Sequence, residues 1–345
     1  MEEVCENPPH FQRPGLGGKI LLWGVFFLIC LGLGYPTLNR YDPRKALPDS
    51  ARYAKLVTDG PRQVEGYFRF RVLEPYLVRP LYDLAKGCVG SWDPLFFGFL
   101  IVNSFFVAGV AYLTSAVGYA HLRSYPVALF GAALYLLNFA PSNAQLAGLV
   151  DAGEAFFLMA MVASMFFERW WLLPVFGVLG TLTKESFVLF SVTMSGTWWL
   201  VSRESGTNRT RCALWLAVMA IVEFATVTVL QSCVSGQLTW PWSFAAGLNS
   251  HSNHAMTFLI SLADKDSWYI FIWLLPLGLL RIRQFPRPWV WAATSASFVA
   301  LLLNAYSTVP GVEGGLGRYI FNVAGPLLSL SVASFLCRIK PGFAD

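Results

Sequence analysis

Apolar runs of roughly 18–25 residues, each closed by a short polar or basic break, recur from Lys19 to Cys337. A run of that length crosses a hydrocarbon core of about 30 Å as a single helix. The pattern predicts ten spans, at 18–38, 94–118, 125–140, 150–167, 170–182, 186–202, 211–232, 267–280, 288–306 and 317–336. The fifth and sixth are nearly continuous and part only at Thr183-Lys184-Glu185. Two polar stretches, 39–92 and 233–266, interrupt the series. In the first, Pro48-Asp49 opens a short amphipathic helix, with Tyr53, Leu56 and Val57 at helical spacing. Glu74-Pro75 opens a second, with Leu77, Leu81 and Leu84 on one side and Pro80 bending it. His251 to Leu262 reads the same way through Met256, Leu259 and Leu262.

Charge orders these elements across the membrane. With the N-terminus inside, the inner loops hold Arg13, Lys19, Arg123, Arg169, Arg203, Arg209, Arg211, Arg281, Arg283, Arg287, Arg338 and Lys340. The short outer loops at 141–149 and 305–317 hold no Lys or Arg. This is the positive-inside bias, with both termini cytoplasmic. The sequon at Asn208 then falls inside and stays unglycosylated. The loop 39–92 breaks the bias: it is assigned outside yet carries ten of the 25 basic residues against six acids. Binding of anions accounts for the exception; contact with lipid phosphates is the simpler account.

Composition agrees. The chain of 345 residues is 55% hydrophobic and 13% charged, where a soluble protein carries about 25% charged residues. The expected fold is an all-α polytopic membrane domain over 1–345, with no soluble domain. The net charge of +5 suits basic inner loops and does not point to nucleic acid. Six cysteines and four histidines show no metal-ligand spacing; the topology allows a Cys88–Cys233 disulfide. The N-terminus lacks a cleavage pattern after its apolar run, so the first span is expected to be retained.

Several ionisable residues sit where the bilayer makes them expensive. Asp151 and Glu154 open the fourth span, Lys184 and Glu185 fill the fifth-to-sixth junction, Arg318 opens the tenth and Glu223 lies within the seventh. On this topology Asp49, Asp151, Lys184, Glu185 and Arg318 all reach the outer face. The plain alternative is a set of helix-end pairs, such as Lys184 with Asp151, that fixes packing alone.

These residues also carry a resemblance. Asp49-Ser50-Ala51-Arg52-Tyr53-Ala54 is similar to the Asp-Glu-x-Arg-Tyr-Ala motif of GT-C glycosyltransferases, in the branch of aminoarabinose transferases and protein O-mannosyltransferases. Tyr67 to Pro75, Leu182-Thr183-Lys184-Glu185 and Arg318-Tyr319 with Pro326 resemble later motifs of that family, in the same order. Ser50 stands where the family has a second acid, and the family's C-terminal soluble domain has no counterpart. The resemblance implies transfer of a sugar, with inversion, from a polyprenyl-phosphate donor to a glycan, lipid or protein acceptor. The reaction lies on the outer or lumenal side of a bacterial inner membrane or of the endoplasmic reticulum. Asp49 is then the general base and Asp151 a second acid orienting a hydroxyl. Arg69, Arg71, Lys184 and Arg318 are the expected phosphate ligands, with Arg52, Tyr53, Glu185 and Tyr319 beside them. Asp42, seven residues earlier, is the rival for the base. Trp240 and Trp242 stack on a sugar or anchor the interface. No cofactor is required, and nothing in the sequence supports a divalent cation. The rival reading is a transporter or flippase of a lipid-linked sugar or other anion.

Overall fold

The computed structural model describes residues 15–39, 48–202, 207–240, 254–307 and 315–337. Among them there is no strand. The helices are α1 Leu16–Asn39, α2 Pro48–Asp59, α3 Leu73–Ala85, α4 Pro94–Leu122, α5 Tyr125–Leu136, α6 Asp151–Phe166, α7 Leu173–Thr183 and α8 Phe187–Val201. They continue as α9 Thr207–Ser235, α10 His254–Leu262, α11 Lys265–Phe271, α12 Leu274–Leu279, α13 Arg287–Ser307 and α14 Leu316–Leu336. Five of them, α1, α4, α9, α13 and α14, contain stretches long and apolar enough to cross a membrane. α5, α7 and α8 are apolar but shorter. At about 1.5 Å per residue, the 12 residues of α5 extend only about 18 Å. α4 and α14 are mostly buried by their neighbours, whereas α1 and α9 leave most of their apolar surface exposed. An outward apolar surface of that size is what a lipid-facing helix presents.

α4 lies at the centre, against α1, α3, α5 and α6; α14 packs on α5 and α13, α7 on α9, and α8 on α13. The eighth predicted span, 267–280, is divided into α11 and α12 at Ile272–Trp273. The cause is local: Pro276 has no N–H, and its ring crowds the carbonyl four residues back, at Ile272. α3 shows which way its leucine side faces. Leu77 and Leu84 are exposed and Leu81 half-buried, while Glu74, Pro75, Val78 and Ala85 face the bundle. The leucine side of α3 therefore points away from the protein, as do Met256, Leu259 and Leu262 of α10. Cys88 and Cys233 are both free thiols, so the allowed disulfide is absent. Asp42, Trp242 and His251 lie outside the described residues.

Candidate functional site

The site is built where helices end. α7 stops at Thr183, Lys184 is extended (φ −162°, ψ 135°), and α8 begins at Phe187. Gly180 lets the turn close, because the Phe187 ring occupies the space a Cβ there would need. The segment Arg71–Glu74 is inserted beside this tip and satisfies helix-end groups that lack internal partners. The Val72 N–H donates to the Leu182 carbonyl at 3.0 Å. The Glu74 carboxyl accepts from the Gly153 N–H, in the first turn of α6, at 3.1 Å. Gly153 must be small, since a Cβ would collide with Glu74 and with Thr183.

Asp151 and Glu154 are three apart on α6 and so share a face. Lys184 Nζ, 2% exposed, donates to Asp151 Oδ1 at 2.8 Å and to Glu154 Oε2 at 3.3 Å. Arg318, from the first turn of α14, donates to Asp151 Oδ2 at 3.2 Å. Glu154 further accepts from Ser186 Oγ at 2.8 Å and Asn322 Nδ2 at 3.0 Å. The chain continues inward: Gln145 donates to Asn322 and the Tyr135 hydroxyl to Gln145, each at 2.9 Å. Tyr319 lies under Lys184, whose Nζ is 4.1 Å from the ring centroid.

A second pair joins from the loop side. Arg71 makes a two-pronged salt bridge to Glu185, and its NH1 donates to the Tyr53 hydroxyl at 2.6 Å. The Tyr67 and Phe68 rings lie against the same guanidinium. Burial alone would weaken the charge of Arg71, but Glu185 and Tyr53 hold it well above its usual range. Burial likewise opposes the Glu185 charge, and Arg71 outweighs it, lowering that carboxyl. Glu74 has no such partner: burial pushes its carboxyl well above the usual range, and the charges of Asp151 and Glu154 add to the shift. Its Oε2 has no hydrogen-bond partner among the described residues.

Asp49 stands at the rim, in the first turn of α2 with its side chain 35% exposed. Arg52 donates to it at 3.3 Å in an exposed pair, a contact worth about 0–1 kcal/mol. Its charge reaches Arg318 and Tyr67. Arg52 covers the Phe68 ring at 4.4 Å. Ser50 is fully buried and donates to the Ala147 carbonyl at 3.1 Å, tying α2 to the loop before α6.

Asp49, Arg52, Tyr53, Arg71, Asp151, Lys184, Glu185, Arg318 and Tyr319 thus gather at one end of the bundle. Arg69 stands apart, donating to Ser235 at the end of α9, and Trp240 is exposed. The gathered charges are balanced: Arg71, Lys184 and Arg318 face Glu185, Asp151 and Glu154. Buried charges must pair in this way or neutralise. Arg318 keeps the most exposure of the three cations, 26% of its side chain. Glu154 and Asn322 are members outside the motifs, and Glu74 lies within the Tyr67–Pro75 motif, which assigns it no role. The spacing of Glu154 from Asp151, and of Asn322 from Arg318, puts each on the right helix face; nothing local marks Glu74 as buried. The described basic residues Arg123, Arg169, Arg209, Arg281 and Arg283 sit at the opposite end of the bundle, after α4, α6 and α12 and at the start of α9. A cavity of about 70 Å³ opens at that end, lined by Trp170, Trp171, Arg211 and Trp215 among others. Among the described residues no group of three or more His, Cys, Asp or Glu is placed to hold a metal ion. No family model, curated protein or solved structure matches the chain.

Proposed function

We propose that the chain is an inverting membrane glycosyltransferase, moving a sugar from a polyprenyl-phosphate donor to an acceptor on the outer or lumenal face. One observation carries the reading. Five separate pieces of chain (α2, the 67–74 segment, α6, the 184–186 link and α14) bring an exposed carboxylate, paired cations and aromatic rings to one bundle end. In this reading Asp49 takes the proton from the acceptor hydroxyl as that oxygen attacks the anomeric carbon, and the carrier phosphate leaves. The partly exposed Arg318 meets the phosphate. Asp151, with both oxygens occupied by Lys184 and Arg318, positions those cations and does not itself touch substrate. Arg71 and Glu185 fix the tip and the Tyr53–Tyr67 wall. Ten crossings with both termini inside belong to this reading, since the bundle end bearing the basic residues then faces the cytoplasm.

The break between α7 and α8 at a buried, charged tip is also the kind of interruption that transporters place at a binding site. Reconstituted vesicles loaded with a labelled polyprenyl-phosphate sugar separate the two. Glycosyl transfer with release of polyprenyl phosphate is the expected result. Movement of intact donor between leaflets, without release, would replace this reading with the transporter.

A further inference from the structure

Glu223 belongs to none of this. It lies near the middle of α9, on the helix's one buried stripe with Cys212, Met219, Val227 and Gln231, while Ile221, Phe224 and Val229 face outward. The side chain is fully buried. One carboxyl oxygen, Oε1, lies against Gly177 of α7, where a Cβ would approach it to 2.8 Å. That oxygen has no hydrogen-bond partner among the described residues. The other, Oε2, is 2.9 Å from the hydroxyl of Ser191 on α8.

Among the described residues the surroundings hold no counter-charge. α7 and α8, the helices packed on this face, contain no Asp, Glu, Lys, Arg, His, Cys or Tyr. The 3-10 turn Trp170–Leu172 contains none either, and the Pro61–Gln63 and Gly66–Phe70 turns, at the outer end of α9, supply only Arg62, Tyr67 and Arg69. On α9 itself the nearest titratable groups, Cys212 and Cys233, are about three turns away. The hydroxyl proton of Ser191 has two claimants, since its oxygen is also 3.0 Å from the Val188 carbonyl. A carbonyl can only accept. Both contacts are satisfied when Ser191 donates to Val188 and accepts an O–H from Glu223. An ionised Glu223 would be an isolated buried charge, a state that such groups avoid by neutralising.

We propose that Glu223 is a proton-binding site inside the bundle: it is held as the neutral acid, donates to Ser191, and so pins α9 against both α7 and α8. Those two helices share the tip that carries Lys184 and Glu185. Loss of the proton removes the donor and sets an anion between Gly177 and Ser191, so α9 must part from the hairpin or admit water. The site takes one proton, and its occupancy is linked to how firmly the tip is held. This holds whether the outer cluster transfers a sugar or carries one across.

The test is infrared difference spectroscopy on the purified full chain, wild type minus Glu223→Gln, at neutral pH. The expected difference is a protonated carboxylic-acid carbonyl band that shifts in deuterium oxide. A difference made of carboxylate bands overturns the proposal. Should the glutamine variant not fold, Ser191→Ala supplies the second arm: the same carbonyl band moves to higher frequency as its hydrogen bond is lost, and an unmoved band overturns the assignment. Backbone hydrogen exchange reads the linkage. Protection of α7 and α8 is expected to fall with alkaline pH more in wild type than in Glu223→Gln, and equal loss in both would refute the pinning role.

Discussion

Lys184 shows what a single buried charge demands. It reaches two carboxylates and an aromatic face at once, and its side chain is 2% exposed. Removing it leaves Asp151 and Glu154 facing each other, with Arg318, Ser186 and Asn322 as remaining partners. Deleting one partner of a buried pair typically costs about 3–5 kcal/mol. Lys184→Met is therefore expected to lower stability by about that amount in thermal or denaturant unfolding in detergent; unchanged unfolding would show that the cluster contributes nothing to the fold. Glu74 and Glu185 should act on pH stability with opposite signs. Glu74 binds its proton more tightly when folded, so its contribution is present below the unfolded value of about 4.3 and is lost as pH rises through the folded value. Glu185 is depressed, so its contribution is present above about 4.3 and is lost as pH falls through the folded value. Unfolding measured across pH should show Glu74→Gln flattening the alkaline side and Glu185→Gln the acid side. The reverse assignment would contradict the geometry. At this scale the sequence revealed much: Asp49, Asp151, Lys184, Glu185 and Arg318 stood out because charge is rare in such a chain. It offered the Lys184–Asp151 pair only as the plain alternative, and did not reveal the Arg71–Glu185 or Arg318–Asp151 pairs, because pairing depends on side-chain reach across elements.

At the scale of elements, the close approaches are as informative as the charges. Gly153 leaves space for the Glu74 carboxyl, so the α3 entrance and the α6 start are one joint. Gly153→Ala forces an extra methyl into that joint. Overpacking of this kind costs about 1–3 kcal/mol, and here it should also release the α2–α3 roof, read as faster proteolysis of the 48–85 region. A variant as resistant as wild type would show that the roof is held elsewhere. Helix positions were readable from apolar periodicity, including the break at Thr183-Lys184-Glu185. The division of α11 from α12 was readable in principle from Pro276. The orientation of α3 was not. Its leucines form a clean stripe, but without a neighbour a stripe does not say whether it meets protein or lipid, and here Leu77 and Leu84 face outward.

At the scale of the whole molecule, the two ends of the described bundle carry charge differently. One end carries the paired cluster under α2 and α3; the other carries basic residues beside the Trp170–Trp215 cavity. The pattern suits a bundle whose α1 and α9 meet lipid and whose α4 and α14 are enclosed by protein. It also gives Asp49 its setting, as a partly exposed carboxylate at the rim of a charge-paired cluster. The central claim is that this carboxylate removes the acceptor's proton. Its most direct measurement is glycosyl transfer from a labelled polyprenyl-phosphate sugar by the purified protein, comparing wild type with Asp49→Asn. Loss of a general base predicts a fall in kcat of about 10²–10⁴-fold, with donor binding kept. Transfer at the wild-type rate in the asparagine variant would contradict the account.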